Sequence, residues 1–241
     1  MEKVLEVKDL KKKYKGNDYH SLKSATFDCY LGEVVGMVGK NGAGKSTILK
    51  CITGLIPYTE GEIKVLGIDN KQNPTEVKKN IGFVPDVSFA FEKMTGMEYI
   101  NFVADVYNVT KEERELRIKE FQDKFNLGDK IFNLISSYSH GMKQKVSVMA
   151  SIVSTPKLWI LDEPHTGLDP QTTLALRNFM KEYAMKGNCV IFSSHNLDIV
   201  EKICDKVVII NNGELVANID MKEFKKTGQS LEEYFIEKCR V

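Results

Sequence analysis

The sequence predicts an α/β fold with a mixed, largely parallel sheet, an N-terminal antiparallel β subdomain and an inserted α-helical subdomain. Three observations predict it. Apolar runs of strand length at 33–38, 157–161, 189–192 and 206–210 are separated by helical stretches. Near-continuous apolar strands of this kind are those buried on both faces of a parallel sheet. Shorter runs at 4–7 and 25–30 alternate apolar with polar residues, the period of antiparallel strands. From residue 97 to about 125, apolar residues instead recur three and four apart, the period of a helix.

Bulk properties bound the function. With 241 residues, 42% of them apolar, the chain suits one large domain or two subdomains sharing a core, and 28% charge is ordinary. A net charge of +1 supplies no broad positive field, which argues against nucleic acid as a partner. Cys29, Cys51, Cys189, Cys204 and Cys239 are scattered and never C-x-x-C, so they read as reduced thiols rather than a disulfide frame or a zinc site. The first residues lack the apolar core of a signal peptide, and no run approaches the roughly 18 apolar residues of a membrane span. Work at a membrane would therefore need a partner chain that supplies the passage.

Taken in order, residues 4–7 form a first strand, followed by the basic stretch Lys11, Lys12, Lys13, and residues 25–30 form a second. Tyr14 has two readings: an aromatic that stacks on a nucleobase, or one that fills a half-buried sheet position. Residues 33–38 lead into a glycine-rich loop, and 48–54 read as a helix. Residues 61–67 are a strand running into a glycine turn, Pro74 sits in the opening turn of a helix, and 81–84 is a short core strand ended by Pro85. Ile100, Val103, Ala104, Tyr107, Leu116, Ile118, Phe121 and Phe125 mark helical structure over 97–125, and a further helix spans about 141–154. Residues 87–154 then make the inserted helical subdomain between core segments 1–86 and 155–215. The second segment holds a strand at 158–161, a helix at 174–186 ended by Gly187, a strand at 189–192, a helix at 199–204 and a strand at 206–210 closed by Asn212-Gly213. Residues 216–241 read as a short helical tail.

The stretch Gly39, Lys40, Asn41, Gly42, Ala43, Gly44, Lys45, Ser46, Thr47 fills the pattern G-x-x-x-x-G-K-[ST] with a strand before it and a helix after it. Glycines let successive backbone N–H groups turn toward an anion, and the helix N-terminus adds partial positive charge. Lys45 then supplies a mobile cation for β/γ-phosphates and the Ser46 hydroxyl a ligand for Mg²⁺, so this loop reads as a nucleoside triphosphate cradle. Asp162 and Glu163 follow a buried strand, at the edge where ligands of open α/β sheets gather. One carboxylate there suits Mg²⁺ held through its water shell; the other suits a general base for an attacking water. His195, after the strand at 189–192, falls on the same edge, within reach of the γ-phosphate or the water beside Glu163.

With these pieces in place the sequence resembles the ATPase subunits of ATP-binding cassette transporters, from Tyr14 to about Gly213. The diagnostic stretch is Tyr138-Ser-His-Gly-Met142 followed by Lys143, Gln144 and Lys145, which is similar to the family's signature, usually Leu-Ser-Gly-Gly-Gln. The resemblance implies a RecA-like phosphate-loop core with ATP and Mg²⁺, and two cassettes packed head to tail. Ser139, His140 and Gly141 of one cassette would face ATP on the other, with Ser139 and Gly141 at the γ-phosphate. It gives Tyr14 the place of the adenine-stacking aromatic and makes 166–169 the loop through which the two sites communicate. It departs at Asp86, where Gln is usual and senses Mg²⁺, so Asp86 joins Ser46 and Asp162 as a metal candidate. It departs again at His140, where Gly is usual. The implied partners are separate membrane-spanning subunits and a second copy or a paralogous cassette, at the cytoplasmic face of the membrane. Export of a drug, peptide or lipid-like cargo is the leading expectation. An importer subunit is the nearest rival, and a soluble cassette ATPase acting on ribosomes or DNA a more distant one.

Overall fold

The computed structural model describes residues 2–16, 18–86 and 91–239. Residues 87–90 and 240–241, which begin the expected helical subdomain and end the expected tail, lie outside the described residues. Two sheets form. The elements in chain order are β1 (Lys3–Lys13), β2 (His20–Leu22), β3 (Phe27–Tyr30), β4 (Val34–Val38), α1 (Lys45–Ile52), β5 (Glu60–Val65), β6 (Ile68–Asp69), α2 (Pro74–Lys79) and β7 (Ile81–Val84). There follow α3 (Gly96–Val106), α4 (Lys111–Phe125), α5 (His140–Ile152), β8 (Leu158–Leu161), α6 (Pro170–Met185), β9 (Cys189–Ser194) and α7 (Leu197–Ile203). The chain closes with β10 (Lys206–Asn211), β11 (Glu214–Asp220), α8 (Met221–Phe224) and α9 (Leu231–Cys239).

The main sheet has the order β11-β10-β4-β9-β8-β7, parallel throughout except for the antiparallel β10–β11 pair. The smaller sheet, β2-β1-β5-β6 with β3 also on β1, is antiparallel. The mixed, largely parallel α/β fold is therefore as the apolar runs predict. The reason is visible in the pleat. Val34, Val38, Trp159, Leu161, Val190 and Phe192 point into one core with α3–α7, while Val35, Met37, Leu158, Ile160 and Ile191 point into another with α1 and the antiparallel sheet. Strands apolar at every position are needed because both faces are covered.

Helix ends explain where the structure departs from the expected bounds. The helical stretch expected over 97–125 is two helices, because Thr110 and Glu113, in the polar gap between its two apolar sets, form a capping box that starts α4 afresh, as Thr95 and Glu98 do for α3. Asp169 caps α6 through the Thr172 N–H, with Pro170 in the first turn, so that helix starts at Pro170 rather than near residue 174. The tail is corrected too: Glu214–Asp220 is a strand, an edge pairing with β10, and helix begins only at Met221. Between β7 and β8 the named elements are all helical. These helices dock on α6 through Phe179, whose ring meets Phe121, Phe125 and Trp159 edge-on at 5.7–5.8 Å.

Candidate active site

Parallel strands carry their C-terminal ends to one edge, and β4, β8 and β9 are neighbours there. The register sets Met37 beside Ser193 and Leu161 beside Phe192, so the loops after the three strands converge. The loop after β4 is shaped by its glycines. A Cβ on Gly39 would lie 2.4 Å from the Ile210 carbonyl oxygen of β10, and Gly44 has φ +113° as it delivers the chain into α1. That helix begins at Lys45, three residues earlier than expected, so its free N–H groups face the loop.

Lys45 is 6% exposed; its Nζ donates to the Gly39 carbonyl at 2.8 Å and lies 3.4 Å from Glu163 Oε1. Ser46 Oγ donates to Asp162 Oδ1 at 3.0 Å. Asp162 is 1% exposed, and its Oδ1 also accepts from Ser193 Oγ at 2.7 Å, while the Glu163 N–H donates to that same hydroxyl at 2.8 Å. Glu163 holds φ +47°, a left-handed conformation uncommon outside glycine, which turns its carboxylate back over the edge. Oε2 of that carboxylate is 3.0 Å from His195 Nδ1. Five expected residues, Lys45, Ser46, Asp162, Glu163 and His195, are thus one connected polar group.

A cleft of about 540 Å³ opens over this group, lined by residues 41–47, Asp86, Glu163, residues 19–21, Lys23, Asn212 and Gly213. That volume falls within the roughly 300–1,000 Å³ of small-molecule sites. Asp86 is exposed at the end of β7. Its carboxyl is pushed up from the ordinary value, first by desolvation and then by Asp162 and Glu163, with His140 and Lys50 opposing. The charges of Asp162 and Glu163 thus reach Asp86 across the cleft, beside an amide-lined loop suited to phosphate oxygens. Among the described residues no group of three or more His, Cys, Asp or Glu closes into a metal nest of its own. A hydroxyl and a carboxylate in contact, Ser46 and Asp162, fit Mg²⁺, which keeps waters and substrate oxygens as its other ligands.

Other expected residues lie elsewhere. Gly39 and Lys40 are outside the cleft lining, though Lys40 offers its carbonyl to Lys45 Nζ at 3.5 Å. Tyr14 stands beside the first turn of α1, its hydroxyl 3.4 Å from Thr47 Oγ1 and its ring under the Lys12 ammonium at 4.9 Å. Ser139, His140 and Gly141 do not line the cleft of their own chain. Ser139 caps α5 by accepting from the Met142 N–H, and the His140 ring turns toward Thr166. Ser193, Tyr19, His20 and the Asn212-Gly213 turn complete the site without having been expected in it. Only Ser193 left a trace in the sequence, as the first of two serines that close the apolar run 189–192 just before His195.

Comparison with known proteins matches residues 22–166, more than half of the chain, to the ABC transporter family model. The chain belongs to the ABC transporter ATPase family. The cassette is 34% identical to the ABC-type transporter ATP-binding protein EcsA of Bacillus subtilis, over 92% of this chain and 90% of the relative. It is 30% identical to the SkfA peptide export ATP-binding protein SkfE of the same species, over 94% and 93%. It is 33% identical to the methionine import ATP-binding protein MetN of Clostridium acetobutylicum, over 91% and 69%. Among solved structures, an ATP-binding subunit of an ABC transporter superposes with TM-score 0.91 at 33% identity, covering 98% of this chain and 99% of that one. The cassette is accordingly an ATP-binding, ATP-hydrolysing subunit of the kind that works with separate membrane-spanning chains. No helix among its described residues is long and apolar enough to cross a membrane.

Proposed function

We propose that this cassette closes as a pair around two ATP molecules and uses their hydrolysis to drive export through separate membrane subunits at the cytoplasmic face. The observation that carries the reading is the convergence of Lys45, Ser46, Asp162, Glu163 and His195 on one sheet edge, with the signature turn at 139–141 outside that cleft. Such a turn is free to serve a cleft on a second cassette, where Ser139, Gly141 and the α5 N-terminus meet the γ-phosphate. Lys45 and the loop amides hold the β- and γ-phosphates, with Tyr14 at the adenine. Ser46 and Asp162, with Asp86 nearby, would hold Mg²⁺, which would supply charge neutralisation at the phosphate oxygens.

In the reaction a water attacks the γ-phosphorus, the bond to the ADP oxygen breaks, and Glu163 takes the water's proton. His195 keeps the Glu163 carboxylate aimed, and the Ser193 bridge fixes the backbone beneath it. Likeness to SkfE supports export of a peptide-like cargo; likeness to MetN is the specific observation favouring import as a second reading. The test is affinity capture of Glu163→Gln protein from native membranes with ATP and Mg²⁺. Recovery of a stoichiometric polytopic protein is expected. An accompanying solute-binding protein would turn the direction to import, and recovery of ribosomes or DNA would overturn the transport reading.

A further inference from the structure

His140 occupies the place where the family's signature usually has glycine, and its ring folds back over the loop that follows Glu163. Nε2 lies 3.2 Å from the Thr166 carbonyl oxygen. A carbonyl only accepts, so Nε2 carries the proton and the ring is the donor. The fit beneath the ring is close: a Cβ built on Gly167 would come 2.4 Å from His140 Cδ2, and Gly167 also needs glycine for its φ of +72°. A second side chain repeats the contact. Gln144, one turn further along α5 and therefore on the same helix face, donates to the Pro164 carbonyl at 3.4 Å. Gly141 packs its own backbone there too, since a Cβ on it would meet the Gly167 carbonyl oxygen at 3.4 Å. The start of α5 is thus stitched to residues 164–167, between Glu163 and the α6 cap at Asp169.

We propose that His140 is a positioning residue that ties the signature turn to the Thr166 loop of its own chain, so that closure onto the partner's nucleotide is passed to Glu163. This rests on reading Ser139 and Gly141 as contacts made in trans. A glycine at residue 140 cannot make the link, so it belongs to this chain's sequence rather than to the usual signature. A tether inside one chain predicts a definite kinetic pattern. Losing it loosens the base while Ser139 and Gly141, the contacts at the γ-phosphate, stay in place, so kcat falls while KM and ATP-driven pairing hold.

The test uses the full chain with ATP and Mg²⁺, measuring kcat and KM, and measuring pairing by size-exclusion in the Glu163→Gln background. His140→Gly is expected to lower kcat about three- to tenfold, the size of one lost hydrogen bond, with KM and pairing within twofold. His140→Gln, whose amide reaches the same carbonyl, should recover at least half of the lost rate. A kcat within twofold of the parent in His140→Gly, or a KM and pairing defect as large as the kcat defect, would overturn the tether. Ser139→Ala separates the two ideas: if it leaves pairing and KM untouched, the trans reading itself fails. If it weakens pairing while His140→Gly is silent, only the tether fails.

Discussion

Glu163 Oε2 lies 3.0 Å from His195 Nδ1, although 32 residues separate the two in the chain. With Lys45 Nζ 3.4 Å from the other carboxylate oxygen, the side chain is held at both ends. In the proposed role of general base, a carboxylate held this way is replaceable in shape but not in chemistry. Glu163→Gln should bind ATP within a few-fold of the parent, lose roughly 10²–10⁴ in kcat, and accumulate as the ATP-bound pair on size-exclusion. His195→Ala should lose rate while Glu163 remains, so its residual turnover should exceed that of Glu163→Gln in the same assay.

Lys45 is a buried cation whose partners are carbonyls and one carboxylate. Lys45→Ala removes the charge that offsets Glu163 and the phosphates together. ATP affinity measured by calorimetry should fall at least 10²-fold, since a hydrogen bond to a charged group contributes about 1.5–3 kcal/mol before longer-range attraction is counted. Affinity within threefold of the parent would take Lys45 out of the phosphate site.

Ser193 joins Asp162 and Glu163 through one hydroxyl. Ser193→Ala leaves the half-buried Glu163 N–H without its acceptor, at a cost of about 1–3 kcal/mol. For a chain of this size that lowers Tm by about 3–9 °C. Because the lost bond lies under the base, ATPase activity should fall further than the melting shift alone explains. Ser193→Thr, which keeps the hydroxyl, should restore part of it.

His165, two residues after Glu163, has both ring nitrogens buried with no hydrogen-bond partner among the described residues and packs edge-on to Phe192 at 5.7 Å. Burial, with Arg177 adding to it, pulls its pKa from 6.5 down to about 4. A base with a depressed folded-state pKa is neutral when folded, so between pH 6.5 and 4 the unfolded chain binds more protons and stability falls as pH falls. The loss across that window is on the order of 3 kcal/mol. His165→Leu should flatten this part of a urea-midpoint profile against pH and leave the region above pH 7 nearly unchanged. An equally steep acid limb in the variant would assign the loss to other groups.

The phosphate loop and the Asp162-Glu163 pair were legible because each is a local motif, in which backbone conformation, flanking elements and charge occupy adjacent positions. The buried strands were legible for a related reason: coverage on both faces forces every position to be apolar. What escaped depends on one face or one partner. Strand β11 is an edge: Leu215, Val216 and Ala217 run together without alternation and stay only half-buried, with Ile219 the one buried position of Glu214–Asp220, so no two-residue period marks it as a strand. The break between α3 and α4 is made by the Thr110 and Glu113 capping side chains, which sit in the polar gap between two apolar sets of the same helical period. Ser193 matters only because register puts it beside Asp162, and no spacing along the chain encodes that.

By itself the sequence determined the α/β class, the phosphate loop, the acidic pair after β8 and the family. Tertiary structure decided that Glu163 meets both Lys45 and His195, that Ser193 bridges the two acids, and that the His140 ring rests on Gly167. The physical reason is range. Turn, cap and strand preferences act over a few residues and are written in order along the chain. The site is made of contacts between residues 30 to more than 100 positions apart, and these exist only once parallel strands bring their ends to a common edge.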